Sequence, residues 1–213
     1  MLKIQFKCTY QFDAGKNSEG LYMGTELYTF VNDLHIFAPN ELKIKGDQFN
    51  PQLPREYYIG DNLDLINCKK KDVPKVQALI DFLREKYGKR FITGNHEAQR
   101  DMDKLIIIKP GVAVMHGDLI FWGIEKSEKY RKKDHGAGFL KRFFWVNALE
   151  TVEAGYNRKI SKEDIDRFDE ICKVHGVHTI IVGHLHPEKT ITTISPQGNK
   201  LIALKRGVND LWL

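Results

Sequence analysis

Apolar and polar positions alternate along the chain in short segments, and the spacing within each segment predicts its secondary structure. Short runs rich in β-branched or aromatic residues predict strands at residues 2–12, 27–31, 57–59, 90–93 and 178–182. Apolar runs on either side of a turn sequence predict two hairpins, at residues 105–115 and 190–204. Strands alternate with helices in the first part of the chain and pair as hairpins in the last part. This order predicts sheets with both parallel and antiparallel strands.

Helical patterns lie between these strands. The apolar residues Val76, Leu79, Ile80 and Leu83 recur at helical spacing and predict a helix over residues 73–86. Ser161 followed by Asp164 predicts a capped helix that runs to residue 174, and residues 125 to about 160 also look helical. The chain is therefore predicted to be an α/β protein in which helices cover mixed sheets.

Five of the predicted strands end in a small polar cluster, and this regularity points to a functional site. The clusters are Asn32-Asp33-Leu34-His35, Gly60-Asp61-Asn62, Gly94-Asn95-His96-Glu97, His116-Gly117-Asp118 and Gly183-His184-Leu185-His186. In open α/β sheets the carboxyl ends of the strands lie along one edge, where ligands bind. Residues that are far apart in the sequence are thus expected to converge at one site.

The side chains of these clusters are those of a metal site. They supply carboxylate oxygens, one amide oxygen and imidazole nitrogens, from Asp33, His35, Asp61, Asn95, His116, His184 and His186. A mixed set of oxygen and nitrogen ligands without a thiolate suits manganese, iron, zinc or nickel rather than calcium or a structural zinc. Seven ligands exceed the need of one ion, and they divide between two ions about 3.5–4 Å apart with Asp61 as the bridge.

The ordered series resembles the motifs of the calcineurin-like metallophosphoesterase family: D-x-H, G-D, G-N-H-[D/E], a histidine followed by glycine, and G-H-x-H. The resemblance covers residues 33–186. It implies a fold of two mixed β-sheets packed as a sandwich with flanking helices. It also implies two divalent metal ions, with manganese as the first expectation. The expected reaction is hydrolysis of a phosphate mono- or diester through attack of a metal-bridging hydroxide.

The same resemblance implies a role for each motif residue. Asp33, His35 and His186 would bind the first ion, and Asp61 would bridge the two. Asn95, His116 and His184 would complete the second site. His96 would bind no metal and would protonate the leaving group, while Glu97 would orient His96.

The 213 residues suit one domain, predicted to span the whole chain with a helical insert at about residues 125–160. Three scattered cysteines argue against a disulfide framework, and the first residues read as neither a signal peptide nor a membrane span. A cytoplasmic protein is therefore expected.

Positive charge is concentrated in the insert. Residues 126–145 contain seven Lys or Arg and two Asp or Glu, so this segment has a local net charge equal to the +5 of the whole chain. Three interpretations remain open: a solvated helix that packs by its aromatic side, an amphipathic surface that contacts a membrane, or a cap over the metal site. In the cap, phosphate of the substrate would be bound by Arg131, Lys132, Lys133 or Arg142.

Other functions share these motifs. A UDP-2,3-diacylglucosamine pyrophosphatase-like hydrolase would act on a nucleotide-linked substrate, but many members of that branch have Arg where this chain has His96. A scaffold with the same fold would lack the chemistry, whereas this chain retains every expected ligand. The insert also offers a basic, aromatic surface for single-stranded nucleic acid, although no specific nucleic-acid motif is present. A phosphorylated small molecule or nucleotide is the expected substrate.

Overall fold

The computed structural model describes residues 25–36, 55–97, 105–131 and 159–213. These ranges contain nine strands: β1 (Leu27–Asn32), β2 (Glu56–Ile59), β3 (Phe91–Ile92), β4 (Leu105–Lys109), β5 (Val112–Met115), β6 (Thr179–Val182), β7 (Ile191–Ile194), β8 (Lys200–Ala203) and β9 (Gly207–Trp212). They also contain four α-helices: α1 (Val73–Tyr87), α2 (Asp118–Trp122), α3 (Ile124–Arg131) and α4 (Lys162–His175). Short 3-10 turns at Lys70–Asp72 and Gly88–Arg90 flank α1.

The strands form two mixed sheets. The first has the order β3-β2-β1-β9, in which β1, β2 and β3 are parallel and β9 is antiparallel to β1. The second has the order β4-β5-β6-β8-β7, with a parallel centre of β5, β6 and β8 and antiparallel strands at both edges. The parallel strands matter for function, because their carboxyl ends point the same way within each sheet.

The two sheets pack face to face, and the period of two along each strand explains how. Along β5, Val112 and Val114 lie in a buried cluster with Phe30 of β1 and Ile59 of β2, which belong to the other sheet. Ala113 and Met115, which point the opposite way, lie in a second cluster that contains helical residues, including Phe168. One face of each sheet is therefore shared with the other sheet and one with helices.

Helices cover both outer faces. Helix α1 packs against the first sheet through Val76, Ile80 and Leu83. The second sheet is covered by α2 and α4, which supply Ile120 and Phe168 among others. The predicted fold class, α/β with two mixed sheets packed as a sandwich between helices, is confirmed. Among the described residues, no helix is long and apolar enough to cross a membrane.

The sequence pattern predicted most of these elements, with three corrections. Strand β9 and the five-residue helix α2 were not predicted. Helix α3 is described as far as Arg131, in agreement with the predicted helical stretch, but residues 159 and 160 at the end of that stretch are not helical. Residues 132–158, and the strand predicted at residues 2–12, lie outside the described residues.

The capping box at the start of α4 provides a test of the fold. The Ser161 side chain accepts a hydrogen bond from the backbone N–H of Asp164, and the Asp164 carboxylate accepts one from the N–H of Ser161. Ser161→Ala should lower the free energy of unfolding by about 1 kcal/mol, because a helix-end N–H loses its partner. Ser161→Gly should cost only a few tenths of that, and equal losses in urea denaturation would contradict the capping role.

Candidate metal centre

The polar clusters meet where the two sheets adjoin. Asp33 and His35 follow β1, Asp61 follows β2, and Asn95 follows β3, so all lie beyond the carboxyl ends of parallel strands of the first sheet. His116 follows β5, and His184 and His186 follow β6, beyond the carboxyl ends of parallel strands of the second sheet. The structure thus brings residues from 33 to 186 into one buried cluster.

The backbone at these positions is strained. Within the described ranges five non-glycine residues have a positive φ, between 46° and 68°, namely Asp33, His35, Asp61, His184 and His186. A side chain in this left-handed region is unfavourable and is found mostly where surrounding contacts fix it for a purpose. All five are among the seven ligands that the sequence predicts, so the strain is concentrated at the candidate site.

Glycines of the motifs leave room for the ligands. A Cβ at Gly94 would lie 2.1 Å from Asp61 Oδ1, and a Cβ at Gly183 would lie 2.6 Å from Asp33 Oδ2. A Cβ at Gly60 would meet the His116 ring at 2.3 Å, and its φ of +63° also favours glycine. Each glycine therefore lets backbone pack directly against a ligand side chain from another motif.

The first group of donor atoms consists of Asp33, His35 and His186. The Asp33 Oδ1 atom lies 3.1 Å from His186 Nε2, and the two histidine Nε2 atoms are 3.4 Å apart. Asp33 Oδ2 accepts hydrogen bonds from the Asn32 side chain and from the backbone N–H of His184. Oδ1 is buried and has no hydrogen-bond partner among the described residues, so it is the oxygen that remains for an ion.

The second group is centred on His116 Nε2. Asp61 Oδ2 and Asn95 Oδ1 each lie 3.1 Å from this nitrogen, and His184 Nδ1 lies 3.0 Å from it. Asp61 Oδ1 accepts a hydrogen bond from the backbone N–H of His96. These four side chains come from four different motifs, and the bridging role of Asp61 remains a prediction.

The spacing of the donors fits coordinated ions. Ligand atoms about 2.1 Å from an ion lie about 3.0 Å apart along an octahedral edge and about 3.4 Å apart along a tetrahedral edge. The donor separations given above are 3.0–3.4 Å in both groups. The residues therefore fit divalent metal ions, and the division of the ligands between two ions remains a prediction.

His96 lies beside the first group and is held by a carboxylate that the sequence analysis missed. Its Nδ1 atom lies 2.9 Å from Asp64 Oδ2, and the same oxygen lies 3.7 Å from His35 Nδ1. Asn67 fixes this carboxylate, because its backbone N–H donates to Asp64 Oδ1 and its side-chain amide donates to Oδ2. Asp64 follows Asp61 by three positions in the same loop, and a second acid at that spacing was the available signal.

The Glu97 carboxylate is hydrogen-bonded to backbone N–H groups of the ligand loops. Its Oε2 atom accepts hydrogen bonds from the backbone N–H groups of Asp61 and Gly94, both at 2.7 Å, and its Oε1 atom accepts one from Leu63 at 3.0 Å. Glu97 thus ties two ligand loops together through the backbone. The carboxylate against Nδ1 of His96 is that of Asp64, and the expected role of Glu97 in orienting His96 remains a prediction.

Buried negative charge sets the electrostatics of the site. Burial alone would raise the pKa of Asp33, but the positive charge of His186 outweighs it and holds that pKa well below its usual range. Burial lowers the pKa of His96, yet the charges of Asp64 and Asp61 raise it to about 9. Burial also lowers the pKa of His116, whereas Asp61 raises it to about 10. The carboxylates hold protons on nearby imidazoles, and binding of cations would displace protons from ligand nitrogens.

The pKa of His184 shifts in the opposite direction from those of His96 and His116. Burial and the positive charge of His116 lower its pKa to about 3, so its imidazole is neutral, as a metal ligand must be. Two neighbouring aromatic rings enclose it, with Phe121 stacked at 6.1 Å and Trp122 edge-on at 4.4 Å between ring centroids. Aromatic residues of α2 therefore form one wall of the second group.

Of the four cationic residues considered for substrate binding, one lies in the described part of the chain. Arg131 is only 5% exposed, and its guanidinium contacts Asp118 and two backbone carbonyls. A role in substrate binding remains a prediction for this residue. Lys132, Lys133 and Arg142 lie outside the described residues.

Two further residues support the first group and were not foreseen. Arg206 donates to the carbonyl oxygens of Asp33 and Leu34, at 2.8 and 3.1 Å. Asn209 of β9 donates to Asn32 Oδ1, and Asn32 in turn donates to Asp33. No local pattern distinguishes these residues, because their partners lie more than 170 positions away in the sequence.

Comparison with known proteins gives distant likenesses of fold. No family model matches the chain, and no curated protein sequence matches it. Similar solved structures include a conserved uncharacterized protein of Streptococcus pneumoniae, a predicted phosphoesterase, at 14% identity and a TM-score of 0.41 over 87% of this chain and 74% of that one. A metallophosphoesterase of Sphaerobacter thermophilus is 12% identical at a TM-score of 0.43, with 85% and 77% of the chains covered.

A third similar structure is Vps29 of Entamoeba histolytica in complex with zinc. It is 14% identical at a TM-score of 0.37, over 85% of this chain and 74% of that one. The likeness is distant at these scores, and no activity is transferred from it to this chain.

The donor geometry predicts that divalent ions stabilise the protein. At a free manganese concentration about 100 times the dissociation constant, binding should add about 2.7 kcal/mol and raise Tm by roughly 5–10 °C. EDTA should abolish the rise. Asp33→Asn should reduce it strongly, whereas Asp166→Asn, at an exposed position on α4, should leave it intact. A metal response that is equal in both variants in thermal unfolding would argue against this site.

Proposed function

We propose that the chain is a metal-dependent phosphoesterase that hydrolyses a phosphate mono- or diester, with manganese as the preferred ion. One observation carries the proposal: two groups of metal donors, with pairs of donor atoms 3.0–3.4 Å apart, lie beside the buried His96, which shares the carboxylate of Asp64 with His35. Ions that bind the phosphoryl group and an independent proton donor for the leaving oxygen are what metal-dependent hydrolysis of a phosphate ester uses.

The ions would be held by the residues of the two groups. Asp33, His35 and His186 would bind one ion, and Asn95, His116 and His184 would bind the other, with Asp61 shared between them. When bound, divalent ions supply positive charge that orients the phosphoryl group, stabilises its developing negative charge and makes a coordinated water more acidic. The protein provides the fixed, buried arrangement of ligands that this chemistry requires.

His96 would act as the general acid. Asp64 holds its Nδ1, which leaves Nε2 to carry the proton that a leaving oxygen needs. The ring lies 4.7 Å, between centroids, from the ring of His35 of the first group, so it is close to where a phosphate ester held by the ions would lie. The backbone N–H of His96 donates to Asp61, which fixes the start of the side chain as well as its end.

The retained donor set favours catalysis over a scaffold role. The Asp61 side chain is buried and contacts the His116 ring and the backbone N–H of His96, both within the site. A scaffold would not need strained backbone at five ligand positions. A pyrophosphatase-like reaction on a nucleotide-linked substrate would use the same ions and the same acid. Comparing a monoester, a diester and a nucleotide-linked substrate in the assay distinguishes that reaction from hydrolysis of a simple phosphate ester.

The direct test is hydrolysis of p-nitrophenyl phosphate and its bis ester with manganese. Wild-type protein should release p-nitrophenol from at least one of them. Asp61→Asn should lower the rate by more than about 100-fold. Mutation of residues that only hydrogen-bond to metal ligands already lowers activity by about 10- to 100-fold, and Asp61 is expected to be a ligand itself. Asp166→Asn should match the wild type. Absence of turnover with monoester, diester and nucleotide-linked substrates would contradict the proposal.

The acid role of His96 predicts a dependence on the leaving group. His96→Ala should lower kcat for phenyl phosphate by about 10²- to 10⁴-fold, the range of general acid catalysis. The loss should be much smaller for p-nitrophenyl phosphate, whose leaving group needs little protonation. The exposed His175 of α4 offers a matched control, and His175→Ala should leave both rates unchanged. An equal loss with both substrates would exclude proton donation by His96.

A further inference from the structure

Helix α3 carries a buried charged network that neither ligand group uses. Arg131 is 5% exposed, Asp118 is 1% exposed and Ser127 is fully buried. The Arg131 Nε and Nη2 atoms donate to Asp118 Oδ2 at 3.1 and 2.9 Å, and the Ser127 hydroxyl donates to the same oxygen. Burying a charged pair is costly, so it persists only where geometry and further hydrogen bonds compensate the desolvation.

Those further bonds lead to the loop that carries Asn95. Arg131 Nη1 donates to the carbonyl oxygen of Gly94 at 3.0 Å, and both Nη1 and Nη2 lie 3.4 Å from the carbonyl oxygen of Thr93. The N–H of Gly94 donates to Glu97. The residue directly before Asn95 is therefore held on its carbonyl side by Arg131 and on its amide side by Glu97.

The other end of the network leads to the loop that carries His116. Asp118 is the first residue of α2 and follows His116 by two positions, across Gly117 with its φ of +110°. One guanidinium thus spans two loops of different sheets. Asn95 and His116, whose donor atoms are 3.1 Å apart, are the members of the second group that these loops carry.

We propose that Arg131 is a positioning residue of the metal centre, which fixes the Asn95 loop relative to the His116 loop. The planar guanidinium suits this task because its nitrogens donate in several fixed directions at once, and a lysine ammonium cannot reproduce that fork. The inference rests on the proposed function for its catalytic consequence, but its consequence for metal binding does not depend on catalysis.

Arg131→Lys is the informative variant, since it keeps a positive charge beside Asp118 and so spares the fold. Loss of the fork should raise the dissociation constant for manganese, measured by calorimetry on the full chain, by about 10- to 100-fold. It should lower kcat for p-nitrophenyl phosphate by a similar factor and leave KM unchanged, because a guanidinium held by Asp118 and the Gly94 carbonyl acts through the ligand loops rather than on the substrate.

Arg167 provides the matched control. It also pairs with a carboxylate, Asp164, at 2.6 Å and donates to a backbone carbonyl, that of Ile120, at 2.6 Å, but it contacts neither ligand loop. Arg167→Lys should lower Tm modestly, because Arg167 is more exposed than Arg131, and it should leave manganese affinity and kcat unchanged. This control separates positioning of the metal ligands from general support of the fold.

Three other results of these measurements would overturn the positioning role of Arg131, and one would separate it from the proposed function. Equal effects of both variants on manganese affinity, or a lower Tm for Arg131→Lys with unchanged affinity and kcat, would overturn the proposal. A raised KM with unchanged manganese affinity would overturn it in favour of direct substrate contact. If the wild type hydrolyses no phosphoester but Arg131→Lys alone weakens manganese binding, the positioning role stands and the proposed function fails.

Discussion

Three aspartate carboxylates, those of Asp33, Asp61 and Asp64, are buried within one cluster, and their negative charge is the constraint around which the site is arranged. Charge removed from water must be compensated nearby, by protons on imidazoles, by hydrogen-bond donors or by cations. The described structure supplies the first two and leaves donor atoms spaced for the third. Electrostatic compensation therefore links the fold to its metal chemistry.

The backbone meets this constraint by holding unfavourable conformations. The loop after β1 is fixed on its amide side by hydrogen bonds from Asp33 N–H to Gly60 and from His35 N–H to Asp61. Arg206 fixes it on its carbonyl side. The loop after β3 is held in the same way, by Glu97 on its amide side and Arg131 on its carbonyl side. Carboxylate and guanidinium groups that bind no ion thus fix the peptide groups of the loops that would.

The sequence was informative wherever function or burial imposed a local pattern. Each of the five polar clusters follows a strand, and the nearly continuous apolar sequence along β5 and β6 is that of strands buried on both faces. Strand β9 was not predictable because its Gly-Val-Asn-Asp sequence resembles a turn and becomes a strand only by pairing with β1. Helix α2 is too short for its periodicity to be detected.

Within the site, the sequence identified donor types but not the residues that hold them. Arg131 was one of seven basic residues in a charged segment, and only contacts with Asp118 and with carbonyls 37 and 38 positions away distinguish it. The same limit applied to Asp64, whose role depends on how its loop approaches the ring of His96. Ligand types can be read from a motif, whereas the contacts that orient the ligands arise from tertiary structure.

Strand β9 has a consequence for the order in which the protein matures. It completes the first sheet by pairing Trp212 with Leu27, and its Asn209 completes the chain of hydrogen bonds through Asn32 to Asp33. Contacts across about 180 residues form slowly, because the intervening chain must be made and ordered first. A nascent chain that has already displayed His186 still lacks this support, so a fully supported ion site becomes available only once β9 has been synthesised.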